Sequence, residues 1–322
     1  MAASSGQAAR GGAALFSFLT RKPKRDGLVG VSLTPDGVAL AHVRRNGGPP
    51  RLAVAEHRAC SPGQRDAVLG ELVKAHRLQG APSVVSLWPG DYHLLQVEAP
   101  DVEASELRSA VRWRIKDLID FHVDDAVIDV FEIPGQGQPG RARMMYTVAA
   151  RTSTIRAGVE LVASAGLDLQ AIDIAELALR NISERLPEAD QGLALLAFIA
   201  DEVLLTLVRD GELYLSRSLE ITPQALAAAG AASVDHVVLE LQRSFDYYES
   251  HFGHGGIGAV RLGPGVEDGE GLGRALAEAL GVPVRTVALD ELVELEREPD
   301  PLARARCLPA VGAALRSEEV AL

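Results

Sequence analysis

The chain has little cysteine, no long apolar run and fewer basic than acidic residues, and each of these features excludes a class of protein. Its two cysteines, Cys60 and Cys307, are too few for a disulfide framework and favour a reducing cytoplasm. The longest apolar stretch, 193–207, is interrupted by Asp201 and Glu202, so it falls short of the roughly 20 residues that a membrane-spanning helix needs. A formal net charge of −12 argues against nucleic-acid binding, because neutralising phosphates takes a concentrated basic face.

Motifs that mark several enzyme classes are also missing. The sequence contains no G-x-x-x-x-G-K-[ST] loop, no Cys-x-x-Cys pair and no Ser-His-Asp arrangement with a nucleophile elbow. His251 and His254 have a spacing that could hold a metal on a helix, but Gly253 separates them and no acidic or thiol partner is adjacent. We therefore predict no metal site and interpret the two histidines as a solvated helix end.

The rest of the composition is that of a globular protein. Of the 322 residues, 47% are hydrophobic and 24% are charged, which allows two domains or one bilobal domain with a sizeable core. Strand and helix patterns alternate along both halves, so the sequence predicts an α/β fold.

Residues 1–25 form a polar leader in which an apolar stretch precedes a basic cluster. We interpret it as a disordered leader, with contact between residues 14–25 and an anionic membrane surface as the alternative.

The most informative feature is a repeat. Each of the two segments, starting near Gly30 and near Leu195, is predicted to form a β-hairpin: an apolar strand, a polar turn and a second strand. A break at 187–191 precedes the second copy, which places the boundary between two lobes near residue 190. The matched positions are Asp36 with Asp201, Val38 with Val203, Leu40 with Leu205, Val43 with Val208, and Arg44 with Arg209.

Several stretches, in their order and spacing, resemble a known family. They are 30–40, 105–134, 165–173, 239–248, 262–265, 280–284 and 308–316. The family is that of the actin-like cytoplasmic proteins of type IV pilus assembly, PilM, and more closely the MshI proteins of mannose-sensitive haemagglutinin (MSHA) pili. The resemblance implies a bilobal, duplicated ribonuclease H-like fold of the actin and FtsA type, with an inserted α+β subdomain in the first lobe. The expected boundaries are a leader at 1–25, a first lobe at 26–190 with the insertion at 83–150, a second lobe at 191–316 and a tail at 317–322.

In proteins built like actin, Asp-x-Gly turns of the two hairpins clasp the nucleotide phosphates. The resemblance places those turns on Ser32-Leu33-Thr34 and on 197–199, where Ala197 and Ile199 replace the acid and the glycine. A branched side chain there would crowd a phosphate, and an alanine cannot hold a metal-bound water. We therefore expect no hydrolysis and no bound cofactor, and leave residual binding of ATP and Mg²⁺ open. The degenerate cleft would comprise Ser32, Thr34, Asp36, Asp201, Gly263 and Gly265.

A basic stripe follows one face of the predicted helix 101–119. Such a stripe is typical of a solvated surface. The resemblance implies another use, because relatives bind a cytoplasmic peptide of a PilN-like bitopic inner-membrane protein in a groove between the first-lobe core and the insertion. The candidate partner-binding residues are Val38, Leu40, Arg108, Arg112, Trp113 and Lys116.

These observations leave three hypotheses. The first is a non-catalytic scaffold at the cytoplasmic face of a bacterial inner membrane, which couples a PilN-like protein to other pilus assembly proteins. The second is an ATPase or nucleotide-dependent switch of the same machinery, in which nucleotide binding moves the lobes. The third is a type II secretion platform component of the same fold, although such proteins normally continue into a transmembrane helix and this sequence ends at Leu322.

Overall fold

The computed structural model describes residues 26–45, 47–136, 142–228, 231–265 and 269–317. The leader predicted over 1–25, including its membrane-facing segment 14–25, and residues 318–322 of the predicted tail lie outside the described residues.

Fourteen strands and ten α-helices make up the described part of the chain. The strands are β1 (Leu28–Thr34), β2 (Gly37–Arg44), β3 (Arg51–Ala59), β4 (Pro82–Ser86), β5 (Tyr92–Glu98), β6 (Ala126–Glu132), β7 (Met144–Arg151), β8 (Asp168–Asp173), β9 (Leu193–Ile199), β10 (Glu202–Arg209), β11 (Glu212–Leu219), β12 (Ala259–Leu262), β13 (Val284–Thr286) and β14 (Glu294–Leu295). The helices are α1 (Arg65–Ala75), α2 (Leu107–Ile115), α3 (Thr152–Ser164), α4 (Ala175–Ser183), α5 (Pro223–Ala228), α6 (Ala231–Phe252), α7 (Gly269–Leu280), α8 (Leu289–Leu292), α9 (Pro301–Arg306) and α10 (Leu308–Ala314).

The two predicted hairpins each begin a large sheet. The first sheet has the order β14-β3-β2-β1-β4-β8, and the second has the order β11-β10-β9-β12-β13. In each, three antiparallel strands are followed by two strands that run parallel to the first strand of the hairpin. Thr34 pairs with Gly37 and Ile199 with Glu202, so both hairpins close through two-residue turns that end in Asp36 and Asp201. The predicted repeat is therefore a repeat of structure.

The hairpin strands are covered on both faces. Every residue of β9 is buried, and β2 is buried from Gly37 to Val43. Val38 and Leu40 pack with α1 and α3 residues, whereas Ala39 and Ala41 face α4 and α10. Because helices cover both faces, these strands are continuous apolar runs and not the half-exposed, alternating strands expected of a two-layer sheet.

The inserted subdomain is a small sheet with one helix. Its order is β5-β7-β6, and α2 covers one face through Val111 and Ile115. The predicted start of the insertion at residue 83 is wrong, because β4 pairs parallel to β1 in the centre of the first sheet. The insertion therefore begins at β5, after the short turn Pro89–Asp91.

The end of the chain returns to the first sheet. β14 pairs parallel to β3, and α10 packs between β1 and α4. A Cβ atom added at Gly30 would lie 1.8 Å from the Ala310 carbonyl oxygen, and one at Gly312 would lie 2.1 Å from that of Ala178. The prediction that 191–316 forms the second lobe is therefore wrong for its last part, since α10 is buried against the first lobe.

The longest helix, α6, covers the second sheet. Val237, Leu241, Ser244 and Tyr248 are fully buried along one side of it, at the spacing of an amphipathic helix. Among the described residues, no helix is both long enough and apolar enough to span a membrane.

Candidate functional site

The first hairpin turn is closed by contacts within the protein. Ser32 and Thr34 are each only 2% exposed. The Thr34 hydroxyl donates a hydrogen bond of 2.6 Å to Asp36 Oδ1, and Arg306 Nη2 lies 2.8 Å from Asp36 Oδ2. The Asp36 side chain thus accepts from a neighbouring hydroxyl and pairs with α9. Both carboxylate oxygens of Asp36 are therefore engaged.

The second turn faces an apolar interior. Ala197 and Ile199 are buried in one cluster with Ala39 of the first hairpin and with Ala303 and Leu308. The side chains that fill the space between the two hairpins thus come from both lobes and from α9 and α10. Asp201 lies at the exposed tip of the turn, after Ala200, which has a φ of +52°.

The loop that carries Gly263 and Gly265, the third segment of the predicted nucleotide cleft, packs against the same elements. Gly263 N–H donates to the Leu196 carbonyl at 2.8 Å. Gly265 has a φ of +108°, and a Cβ atom added there would lie 2.7 Å from Ala305 Cβ. Because Ala305 faces this loop while Arg306 reaches Asp36, α9 lies between two of the three predicted nucleotide-binding segments. An open cavity of about 590 Å³ remains beside Pro264, lined also by Asp290 and Arg304.

The cleft offers no preformed metal site. Within the described ranges, no group of three or more His, Cys, Asp or Glu side chains is placed to hold a metal ion. The Asp36 carboxylate is paired with a guanidinium, and Ile199 stands where a phosphate would need a small residue. In this arrangement the residues present therefore do not fit Mg²⁺ and a nucleoside triphosphate.

Two of the predicted partner-binding residues are inaccessible. Val38 and Leu40 are 0% exposed. Their backbone is equally occupied, because β2 is paired on one side with β1 and on the other with β3. The prediction that they contact a partner is wrong, because this strand lies in the middle of a sheet that helices cover on both faces.

The other four predicted partner-binding residues lie on the outer face of the insertion. Arg108 pairs with Asp129 at 3.2 Å and Arg112 with Asp124 at 3.1 Å. Trp113 is 70% exposed, and Lys116 is exposed beside it. The helix that carries them covers one face of the small sheet, whereas the other face packs on the first lobe through residues that include Tyr92, Phe131 and Ala150. The structure therefore places this set on the side of the small sheet that faces away from the first lobe.

A groove between the first-lobe core and the insertion, as the resemblance implies, lies at the base of the insertion, but none of the predicted partner-binding residues lines it. It has a volume of about 410 Å³ and runs between α1 and α3. Its walls include Leu33 at the end of β1 and Asp91 just before β5, so it joins the first-lobe core to the insertion. The local signal that could have indicated it is the pair of small residues Ala157 and Gly158 on α3, which leaves the wall open.

The groove carries charge as well as apolar surface. Asp66 accepts a hydrogen bond of 3.1 Å from the Ser164 hydroxyl. Burial raises the pKa of Asp91, and the nearby Arg65 guanidinium opposes that shift. Arg65 Nη2 donates to the Thr34 carbonyl, while its buried Nε has no hydrogen-bond partner among the described residues.

Buried polar contacts attach the insertion to both lobes. The Tyr92 hydroxyl donates to Glu176 of α4 and accepts from the Ala175 N–H at 3.1 Å. Burial raises the pKa of the Glu176 carboxyl to about 7. On the other side, Ser216 N–H of β11 donates to the Tyr146 hydroxyl at 3.1 Å. Hydrogen bonds to both lobes therefore hold the insertion, whose first strand follows the groove residue Asp91.

Comparison with known proteins agrees with this architecture. Residues 53–227 match the family model described as type IV pilus assembly protein PilM. Among solved structures, one described as a PilM–PilN type IV pilus biogenesis complex superimposes with a TM-score of 0.71 at 20% identity, covering 91% of this chain and 98% of that chain.

Two further structures share the fold at lower similarity. The cytoplasmic domain of EpsL, an inner membrane component of the type II secretion system of Vibrio cholerae, has a TM-score of 0.51 at 14% identity, covering 91% of this chain and 96% of that chain. A Bacteroides thetaiotaomicron protein with an actin-like ATPase fold has a TM-score of 0.51 at 10% identity, covering 82% and 91%. No curated protein sequence matches the chain significantly. The predicted actin-like fold is confirmed.

Proposed function

Since the chain belongs to the family of type IV pilus assembly proteins PilM, we propose that it is a non-catalytic actin-fold scaffold of pilus assembly. In this proposal it lies in the cytoplasm at the inner face of a bacterial inner membrane. There it binds the cytoplasmic segment of a PilN-like protein and connects it to other pilus assembly proteins. The assignment to an MSHA-type system is part of the proposal and rests on the sequence stretches that resemble MshI.

The observation that carries the proposal is the contrast between the space separating the two hairpins and the groove at the base of the insertion. The space between the hairpins is filled by apolar side chains and by α9. The groove between α1 and α3 is open and partly apolar, and hydrogen bonds of Tyr92 and Tyr146 hold the insertion beside it. An open groove of this size fits a peptide segment whose apolar side chains it can bury. The similar solved structure is a complex with PilN, which supports a PilN-like partner.

A nucleotide-dependent switch is the second candidate. The cavity of about 590 Å³ beside Pro264 is the observation that favours it, since it lies next to the third predicted nucleotide-binding loop. The third candidate, a type II secretion platform component, is supported by the likeness of fold to the EpsL domain. The effect of MgATP on binding of the PilN-like segment separates the switch from the scaffold.

Co-purification tests the proposal. The tagged cytoplasmic segment of a PilN-like protein from the same genome should retain the wild-type chain on a column. Ala157→Trp should abolish retention, because Ala157 is exposed and lines the groove. Val159→Trp is the matched control, since Val159 is exposed on the same helix and does not line the groove. Retention that both variants preserve would place the partner elsewhere.

A further inference from the structure

We propose that the groove between α1 and α3 selects a basic peptide, in which an apolar side chain is flanked by lysine or arginine. This inference rests on the proposed function in so far as the peptide is the segment of a PilN-like protein. It adds the chemistry by which the groove recognises that segment.

Apolar side chains line the bottom of the groove. Leu33, Leu87 and Leu161 are 8%, 4% and 7% exposed and belong to the first-lobe core. The α3 side of the groove leaves space at Gly158, because a Cβ atom added there would meet only the Ile172 Cδ1 atom, at 3.8 Å. An aliphatic side chain can therefore enter the groove and bury its surface against these leucines.

The rim of the groove is acidic. Asp66 and Glu160 are exposed at its edge, Asp91 is half-buried, and Arg65 is the one basic residue in the lining. The Arg65 guanidinium offsets part of this negative charge, but it is one cation against three carboxyl groups, so the rim stays acidic. With a chain charge of −12 as well, the rim attracts a cationic peptide and repels an acidic one.

Membrane topology makes such a peptide available on the cytoplasmic side. Cytoplasmic segments close to a transmembrane helix carry an excess of Lys and Arg, which sets the orientation of the helix. The cytoplasmic segment of a single-span protein therefore combines basic residues with the apolar residues that lead into the membrane. The acidic rim and apolar floor of the groove match that combination.

Fluorescence anisotropy tests the inference, with the labelled N-terminal cytoplasmic peptide of a PilN-like protein from the same genome as the probe. We expect replacement of its Lys and Arg residues by Gln to weaken binding ~10-fold or more, and the double variant Asp66→Asn with Glu160→Gln to weaken it ~5-fold. Glu278→Gln, an exposed change on α7, should alter the Kd less than ~1.5-fold. The Kd of the native peptide should rise with salt. Equal binding of native and Gln-substituted peptides would overturn the inference.

A second arm separates this inference from the proposed function. Random displayed peptides are selected on the wild-type protein, and binders that the Ala157→Trp variant also retains are discarded. Groove-dependent peptides rich in Lys and Arg next to an aliphatic residue support the inference even if the PilN-like peptide does not bind, a result that would contradict only the proposed function. Enriched peptides that are neutral or acidic, or no enrichment at all, overturn it.

Discussion

The guanidinium group of Arg306 lies 2.8 Å from a carboxylate oxygen of Asp36. The two residues are far apart in sequence, and their contact places α9 across the first hairpin turn. Asp36 is the acidic residue that the first hairpin turn retains in the degenerate cleft, and the cation beside it comes from the protein itself. This ion pair and the buried Ile199 of the second turn are the physical reasons for proposing that the cleft has a structural role and does not hydrolyse nucleotide.

We expect the purified protein to hydrolyse MgATP no faster than a buffer control. Asp36 is paired, and Ala197 and Ile199 cannot supply a metal-bound water or space for a phosphate. Phosphate release is the measurement. Arg306→Ala should not create activity, because the apolar filling around Ile199 remains. Mg²⁺-dependent release that Asp36→Ala or Asp201→Ala abolishes would contradict this expectation.

Gly312→Ala should destabilise the fold by about 2–4 kcal/mol, since α10 or α4 must move to admit a methyl group. The added Cβ atom would lie 2.1 Å from the Ala178 carbonyl oxygen. Urea denaturation measures the loss. Gly48→Ala is the control, because no atom lies within 4 Å of a Cβ atom placed there. Equal stability of the two variants would show that α10 is not packed on α4 as described.

Glu176 should make stability depend on pH. Its pKa is about 7 in the folded chain, above the ordinary value of 4.5, because burial disfavours the carboxylate. Between these two values the unfolded chain loses the proton while the folded chain keeps it. Stability therefore falls as pH rises through this window, by an amount of order 3 kcal/mol at most.

Urea denaturation between pH 4 and pH 8 measures this dependence. Glu176→Gln removes the titrating group, so the wild type should lose stability relative to this variant as pH rises. Tyr92 donates to Glu176, and Asp173, paired with Arg316, lies near enough to raise its pKa further. Glu184→Gln, an exposed change at the opposite end of the same helix, is the control. A difference from Glu176→Gln that stays constant with pH would contradict the assignment.

Arg112→Glu and Trp113→Ala should leave binding of the PilN-like segment unchanged within about 2-fold. Both residues lie on the outer face of the insertion, and the groove opens at its base. Isothermal titration with each variant measures this. Loss of binding in Arg112→Glu, with Ala157→Trp still binding, would move the partner site from the groove to α2.

The duplicated fold could be predicted because its signal is local. Each hairpin is a pair of apolar runs around a turn that ends in Asp36 or Asp201, and the same five residue types recur in register. The return of the chain end to the first sheet could not be predicted, since β14 has only two residues and every residue of α10 is buried. A helix that is apolar all round does not indicate which layer it joins.

The candidate site was predicted less well, for related reasons. The periodicity of α2 identifies Val111 and Ile115 as its buried side, but it does not say which face of the small sheet that side covers. The groove is formed by residues such as Leu33, Asp91 and Leu161, which are far apart in sequence and follow no common period. Only the packing of α1 and α3 beside the insertion brings them together.

The most direct test of a scaffold that works without nucleotide is the affinity for the PilN-like segment, measured by calorimetry with and without MgATP. If the groove is a fixed site and the cleft is filled, the two Kd values should agree within about 2-fold. A Kd that changes about 10-fold with MgATP would correspond to a coupling free energy of about 1.4 kcal/mol. That result would contradict the scaffold and establish a nucleotide-dependent switch.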